Sequence, residues 1–219
     1  MEVYKTNGPH SCSGKEPVLI LAHGAGAPAD SSFMEMLAES LADEGVTTVR
    51  FEFSYMAKRR EDGRKRPPER QPALLAQLEQ LIAEIIEGSL AGRPLFIGGK
   101  SMGGRMASLL AADPRLKGRF RGVLCFGYPF HPPGKDRWRT DHFPDFWCPV
   151  LIIQGTRDPF GKPDEVNERL ATLAEPELVW LEGGNHDFQP LARQPETQIG
   201  LIQQAARSAA AFMRCETGH

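Results

Sequence analysis

The chain has 219 residues, a net charge of −2, and 25% charged against 41% hydrophobic side chains. These totals fit one α/β domain spanning 1–219 with a full core, and they exclude the bulk positive charge of a nucleic-acid binder. No stretch approaches the ~18 apolar residues of a membrane span, and the start, MEVYKTNGPHSCSGKEP, has no apolar run of the signal-peptide type. A cytoplasmic protein with neither membrane nor nucleic-acid partners is therefore expected. Four scattered cysteines (Cys12, Cys125, Cys148, Cys215) without a C-x-x-C pair argue for reduced thiols rather than a disulfide or zinc framework. Cys125 and Cys148 adjoin apolar runs and read as small buried side chains.

From residue 17 onward, short apolar runs alternate with helix-period segments. The first run, PVLILAHG (17–24), ends in a small-residue turn, His23-Gly24-Ala25-Gly26. Next comes SSFMEMLAESLADEG (31–45), with Phe33, Met36, Leu37 and Leu41 on one helix face, Ser31 or Ser32 as cap and Gly45 as stop. A second run, VTTVRFEF (46–53), leads into a basic segment, 55–72, read as a long loop. PALLAQLEQLIAEIIEG (72–88) places Leu74, Leu78, Leu81, Ile82 and Ile85 in a stripe. PLFIGG (94–99) runs into a helix carrying Met106, Leu109 and Leu110. GVLCFG (122–127) is followed by an aromatic-rich loop, 128–147, and then by CPVLIIQG (148–155). A helix over 163–175, the run LVWLEG (178–183) and a helix over 196–215 complete the order. Near-continuous apolar strands alternating with helices predict a doubly wound, mainly parallel sheet of about six or seven strands, with ligands at the strands' carboxyl ends.

The stretch GGKSMGG (98–104) supports two chemistries. A phosphate-cradling loop would need Gly at position 94, which is Pro94, and a loop between the strand and Lys100, where none fits. A nucleophilic serine needs strand, sharp turn and helix, with small residues two before and two after it, and Gly99 and Gly103 meet that demand around Ser101. Gly98 and Gly104 add clearance. Serine needs a base, and the base an orienting carboxylate, in the order Ser, acid, His, each just after a strand. Asp158 follows 148–155 and His186 follows 178–183. Asp136 and Asp141, after the preceding strand, are the rival acids; Asp187 adjoins His186 and is assigned to the local turn. Two donors must meet the developing oxyanion: the Met102 N–H, and an N–H of the turn after the first run, Ala25 or, second, Gly26.

The motifs LAHGAGAP, GGKSMGGR, GYPFHPPGK, QGTRDPFG and GGNHDF together resemble an α/β-hydrolase along nearly the whole chain. The resemblance is to a compact subgroup related to dienelactone hydrolases. That subgroup includes the hydrolase-like domains of a testis-expressed protein and of a nuclear histone-acetyltransferase complex subunit. It implies a serine-hydrolase scaffold with catalytic Ser101, Asp158 and His186. The chain departs from larger esterases in leaving only about 20 residues after GVLCFG for a cap, and from dienelactone hydrolases in having Ser, not Cys, at the elbow.

The expected activity is hydrolysis of a small ester or thioester with no metal or cofactor, its rate falling in acid as the histidine protonates. A hydrolase-like binding scaffold with little turnover and a small serine peptidase are the alternatives. His23 reads as a brace for the donor turn, and Lys100 as a neighbour that reaches solvent or a carboxylate. The seven basic residues from Lys58 to Arg70 are a solvated loop, an anion-attracting mouth or a nucleic-acid contact. Gly26, Phe130, His131 and Trp138 are candidates to wall a substrate pocket; the aromatic loop could equally roof the sheet.

Overall fold

The computed structural model describes residues 3–9, 14–171 and 176–218; Cys12 and the last residues of the helix expected over 163–175 lie outside them. A seven-stranded sheet has the order β1-β3-β2-β4-β5-β6-β7. Six strands are parallel: β2 (Val18–Ala22), β3 (Thr47–Phe51), β4 (Leu95–Lys100), β5 (Val123–Phe126), β6 (Val150–Gly155) and β7 (Glu177–Leu181). They are the six apolar runs. The seventh, β1 (Val3–Asn7), pairs antiparallel with β3 and was not anticipated from its polar sequence.

Alternation along β2 shows how both faces are covered. Val18, Ile20 and Ala22 share a core with α3 (Gln71–Glu87) and α4 (Met102–Ala111), while Leu19 and Leu21 share a core with α1 (Ser32–Asp43) and α6 (Gln198–Thr217). Strand side chains alternate faces, so a run apolar at every position needs a helical layer on each side. The expected stripes do this work. Leu74, Leu78, Leu81 and Ile82 are buried and Ile85 half-buried, and on α1 Leu37 and Leu41 are buried while Phe33 and Met36 pack from the rim. Ser31 occupies the N-cap of α1, but its hydroxyl makes no capping bond. Gly45 takes φ 85 after the last turn, as a helix stop favours.

Two segments differ from expectation. Residues 54–62 form a helix, α2 (Ser54–Asp62), where a loop was expected. Its sequence is too polar to show an apolar stripe, but Tyr55 and Met56 are buried and tie it to the core. The basic run is accordingly partly ordered: Arg60 grips buried Glu52 at 2.6 Å and Asp30 at 2.7 Å, and Arg66 pairs with Asp62. The second segment, 127–149, carries one short 3₁₀ turn, Phe143–Asp145, and among the described residues no cap domain. Much of it roofs the sheet. Phe130 and Phe143 are fully buried and meet Tyr128 edge-on.

His142 in this segment lies 2.8 Å from the Ser108 hydroxyl. Burial and the nearby Arg105 charge push its imidazole down to about 4, against weaker pulls from Asp141 and Asp145. Below pH ~6.5 the unfolded chain takes a proton here that the folded chain refuses until about pH 4. Stability should therefore fall as pH drops through that window, by up to about 3 kcal/mol, and level off below it. Urea midpoints across pH 7 to 4 for wild type and His142→Asn check this; the variant should show a shallower fall.

Candidate active site

The sheet register aligns the two turns that matter. Ala22 is paired with Gly99 across β2 and β4, so the chain leaves both strands at the same level. Between β4 and α4 sits Ser101 at φ 51, ψ −112, a left-handed conformation that L-residues rarely adopt. The crossing is tight. A Cβ at Gly99 would lie 2.3 Å from the Ala22 carbonyl oxygen, at Gly103 2.5 Å from the same oxygen, at Gly98 2.2 Å from Leu124 O and at Gly104 2.6 Å from Gly99 O. The four glycines let α4 start directly on the sheet and hold Ser101 out of it. Ser101→Gly should relax the positive φ and be more stable than Ser101→Ala by about 1 kcal/mol, read from paired denaturation curves.

Ser101 Oγ is 3.0 Å from His186 Nε2, and His186 Nδ1 is 2.7 Å from Asp158 Oδ2. Asp158 is fully buried at the turn after β6. It accepts from the Phe160 N–H on Oδ1 (2.8 Å) and from Gln154 Nε2 on Oδ2 (2.9 Å). These donors satisfy a carboxylate that burial alone would disfavour. His186 follows β7, with its side chain 21% exposed and its ring tilted against that of Phe160 at 4.5 Å. Asp141 pairs with Arg169 instead, and Asp136 lines a separate surface hollow beside His131.

One support was not anticipated, and a second, Lys100, was read as a neighbour reaching solvent or a carboxylate. Gln154 is the one polar side chain within the apolar run of β6, four residues before Asp158; that break in the pattern was the available signal. Lys100 is a buried cation, only 7% exposed, whose Nζ donates to the His186 carbonyl at 2.6 Å and meets Asp187 at 3.4 Å. Burial holds its ammonium below the usual lysine range, opposed by Asp187 and Asp158. The Asp187 carboxylate thus serves Lys100, rather than only the local turn.

Met102 is the first residue of α4, where N–H groups have no helical partner. Gly24 approaches Ser101 closely: a Cβ on it would stand 3.7 Å from Ser101 Cβ, which brings the Gly24–Gly26 turn beside the serine. Among the described residues, neither the Ala25 nor the Met102 N–H donates to a protein acceptor. The carbonyls of the turn, by contrast, are held. His23 Nε2 accepts from the Phe53 N–H at 3.2 Å, so its proton sits on Nδ1, which donates to Gly24 O at 2.7 Å. Burial pushes the His23 imidazole down and keeps that neutral form. Tyr55 Oη donates to Ala25 O at 3.0 Å, and Arg59 to Gly26 O at 3.3 Å. Helix α2, read from sequence as a loop, therefore braces this turn through Tyr55 and Arg59.

The four pocket candidates divide. Gly26 is exposed, with open space where a Cβ would stand. Trp138 is half-buried and meets His131 edge-on at 4.9 Å. His131 is nearly buried, with Nε2 3.2 Å from Glu165. Phe130 is a core residue packed on Gly161 and presents no open wall.

The α/β-hydrolase domain model matches residues 15–214. The chain belongs to the α/β-hydrolase family. Solved α/β-hydrolases share its fold at low identity. Est1E from Butyrivibrio proteoclasticus, with ferulic acid bound, aligns with TM-score 0.72 at 16% identity, over 98% of this chain and 95% of that one. A dienelactone hydrolase from Anabaena variabilis aligns with TM-score 0.73 at 20% identity, covering 96% and 89%. A serine hydrolase without lid from Xanthomonas campestris aligns with TM-score 0.67 at 22% identity, covering 96% and 86%. Among curated proteins, no sequence matches. Among the described residues of this α/β-hydrolase, no helix is long and apolar enough to cross a membrane.

Proposed function

We propose that this α/β-hydrolase cleaves small carboxylic esters or thioesters through an acyl-enzyme on Ser101. The observation that carries the reading is the hydrogen-bonded line from Ser101 Oγ through His186 to buried Asp158, 3.0 and 2.7 Å long. Asp158 accepts the Nδ1 proton, which leaves Nε2 with its lone pair toward Ser101. As Oγ attacks the ester carbonyl, its proton passes to Nε2, and Asp158 stabilises the imidazolium. The carbonyl oxygen gains charge and takes hydrogen bonds from the N–H groups of Met102 and Ala25. His186 then protonates the departing alcohol or thiol. Water, deprotonated by the same Nε2, attacks the acyl carbon, and the serine leaves with its proton restored.

The open space at Gly26 and the bare 127–149 roof suit a compact substrate that reaches Ser101 without a gate. The ferulic acid held by Est1E makes esters of small aromatic acids the first to try. A fluorophosphonate probe should label the folded wild type and leave Ser101→Ala unlabelled. Short-chain p-nitrophenyl esters and matched thioesters should be turned over by wild type and not by His186→Ala. Equal labelling of both proteins, or an ester rate unchanged in His186→Ala, would sink the proposal.

A further inference from the structure

A second feature stands apart from the serine and is built from cations. A cavity of about 470 Å³ lies between the start of α3, the outer face of α4 and the 127–149 segment, lined in part by Arg105, Leu109, Arg137, Trp138, Arg139 and His142. Three arginines line it. Among the described residues none of them forms an ion pair. The acid on its rim, Asp141, is engaged by Arg169 and points largely to solvent. Arg137 makes no side-chain hydrogen bond among the described residues, and Arg105 Nε is buried without a partner although its terminal nitrogen reaches Gln71 at 3.1 Å. Arg139 donates to the Pro129 carbonyl and is held below the usual arginine range by burial, then by the charges of Arg105 and Arg137.

Arg105 and Arg139 are half-buried and Arg137 is exposed, and holding the two half-buried charges near each other costs desolvation and repulsion. Some arginines of the chain are held by acids, such as Arg60 by Glu52 and Asp30 and Arg115 by Asp113 and Glu79. Here three arginines line one cavity and, among the described residues, no acid is paired to any of them. We propose that it is a binding site for a phosphate-type dianion, free or borne as a monoester on a small organic body. The charge decides the class. A phosphate carries about −1.5 to −2 at neutral pH and offers three terminal oxygens to three planar donors, whereas a carboxylate offers one charge and two oxygens. Trp138 and Leu109 supply an apolar wall for whatever the phosphate is attached to. His142, kept neutral, adds no further repulsion among the cations. Arg105 lies one turn along α4 from Ser101, to whose carbonyl its N–H donates, so the site neighbours the serine without using it. The proposal does not rest on the serine-hydrolase reading.

The test is calorimetric titration of the full chain with inorganic phosphate, glycerol 3-phosphate and acetate, in low-salt buffer. Ser101→Ala is titrated alongside wild type, so that loss of hydrolysis and loss of anion binding are read separately. Saturable one-to-one binding of phosphate or its monoester is expected in both proteins, weakening as salt rises. Arg137→Gln and Arg105→Gln should each lower affinity about tenfold or more. Tighter monoester binding would assign the site to a phosphorylated compound, and equal binding to the free anion; either supports the proposal. Unchanged affinity in folded Arg137→Gln, acetate binding as tight as phosphate, or no saturation by about 10 mM would overturn it. Should Arg105→Gln fail to fold, Arg137→Gln carries the result, since it has no hydrogen bond to lose.

Discussion

Asp158→Asn is expected to lower the ester turnover number by about 10⁴-fold while leaving the protein folded. The reason lies in the partners of the two carboxylate oxygens. Oδ1 faces the Phe160 N–H, a donor, so an asparagine must place its carbonyl oxygen there. Its NH₂ group then faces His186 Nδ1, where Asp158 Oδ2 now accepts. An NH₂ can only donate, so Nδ1 must become the acceptor and the ring proton must move to Nε2. That leaves an N–H pointing at Ser101 Oγ and no base to take the hydroxyl proton. The alternative flip sets NH₂ against the Phe160 N–H, donor against donor. Gln154 offers only partial relief: turning its amide would give the new NH₂ an acceptor, but would strip donors from the Tyr128 and Gly161 carbonyls. Steady-state kinetics with a p-nitrophenyl ester, beside a melting curve, checks both halves. A variant with near-wild-type turnover would remove Asp158 from the proposed mechanism.

Gly99→Ala should be severely damaging for so small a change, costing about 3 kcal/mol or more. Its Cβ would sit 2.3 Å from the Ala22 carbonyl oxygen and 2.9 Å from the Gly103 carbonyl carbon. Both are backbone atoms, fixed by the ladder between β2 and β4 and by the first turn of α4, so neither can swing aside. Gly26→Ala is the control. Nothing lies within 4 Å of its Cβ, and stability should change by no more than about 0.5 kcal/mol. Urea denaturation of the two variants gives the comparison, and a Gly99→Ala protein as stable as wild type would mean that the elbow can open.

The fold was legible because its strands are apolar on both faces and its helices are not. Six runs ending at glycine or a polar turn gave six parallel strands, and the order of strand ends located residues 101, 158 and 186 on one edge of the sheet. Contact among their side chains needed the register, in particular Ala22 beside Gly99. Helix α2 escaped notice because seven of its nine residues are polar or small, and Tyr55 and Met56 alone do not make a periodic stripe. β1 escaped because five residues at an open edge carry little pattern. Phe130 was offered as a pocket wall since aromatic residues in a loop suit either role, and only its burial separates them. Lys100 looked incidental because its partners are a backbone oxygen and an exposed acid 86 and 87 positions away, which no local spacing announces. The arginine cavity draws on α3, α4 and a loop, and reads in one dimension as scattered surface charge.

Lys100 also ties two parts of the chain that the sheet alone would leave independent. It is covalently joined to Ser101 and its Nζ donates to the backbone carbonyl of His186, so one buried hydrogen bond links the turn that carries the serine to the loop that carries the histidine. A fluctuation that carries the 184–190 loop away from the sheet must therefore break a bond of a buried ammonium, and one that tilts the elbow drags the loop with it. Their separation is set mechanically, like two jaws on one hinge pin. In hydrogen exchange the amides around residue 186 should then open with the sheet, not with the surface turns on either side.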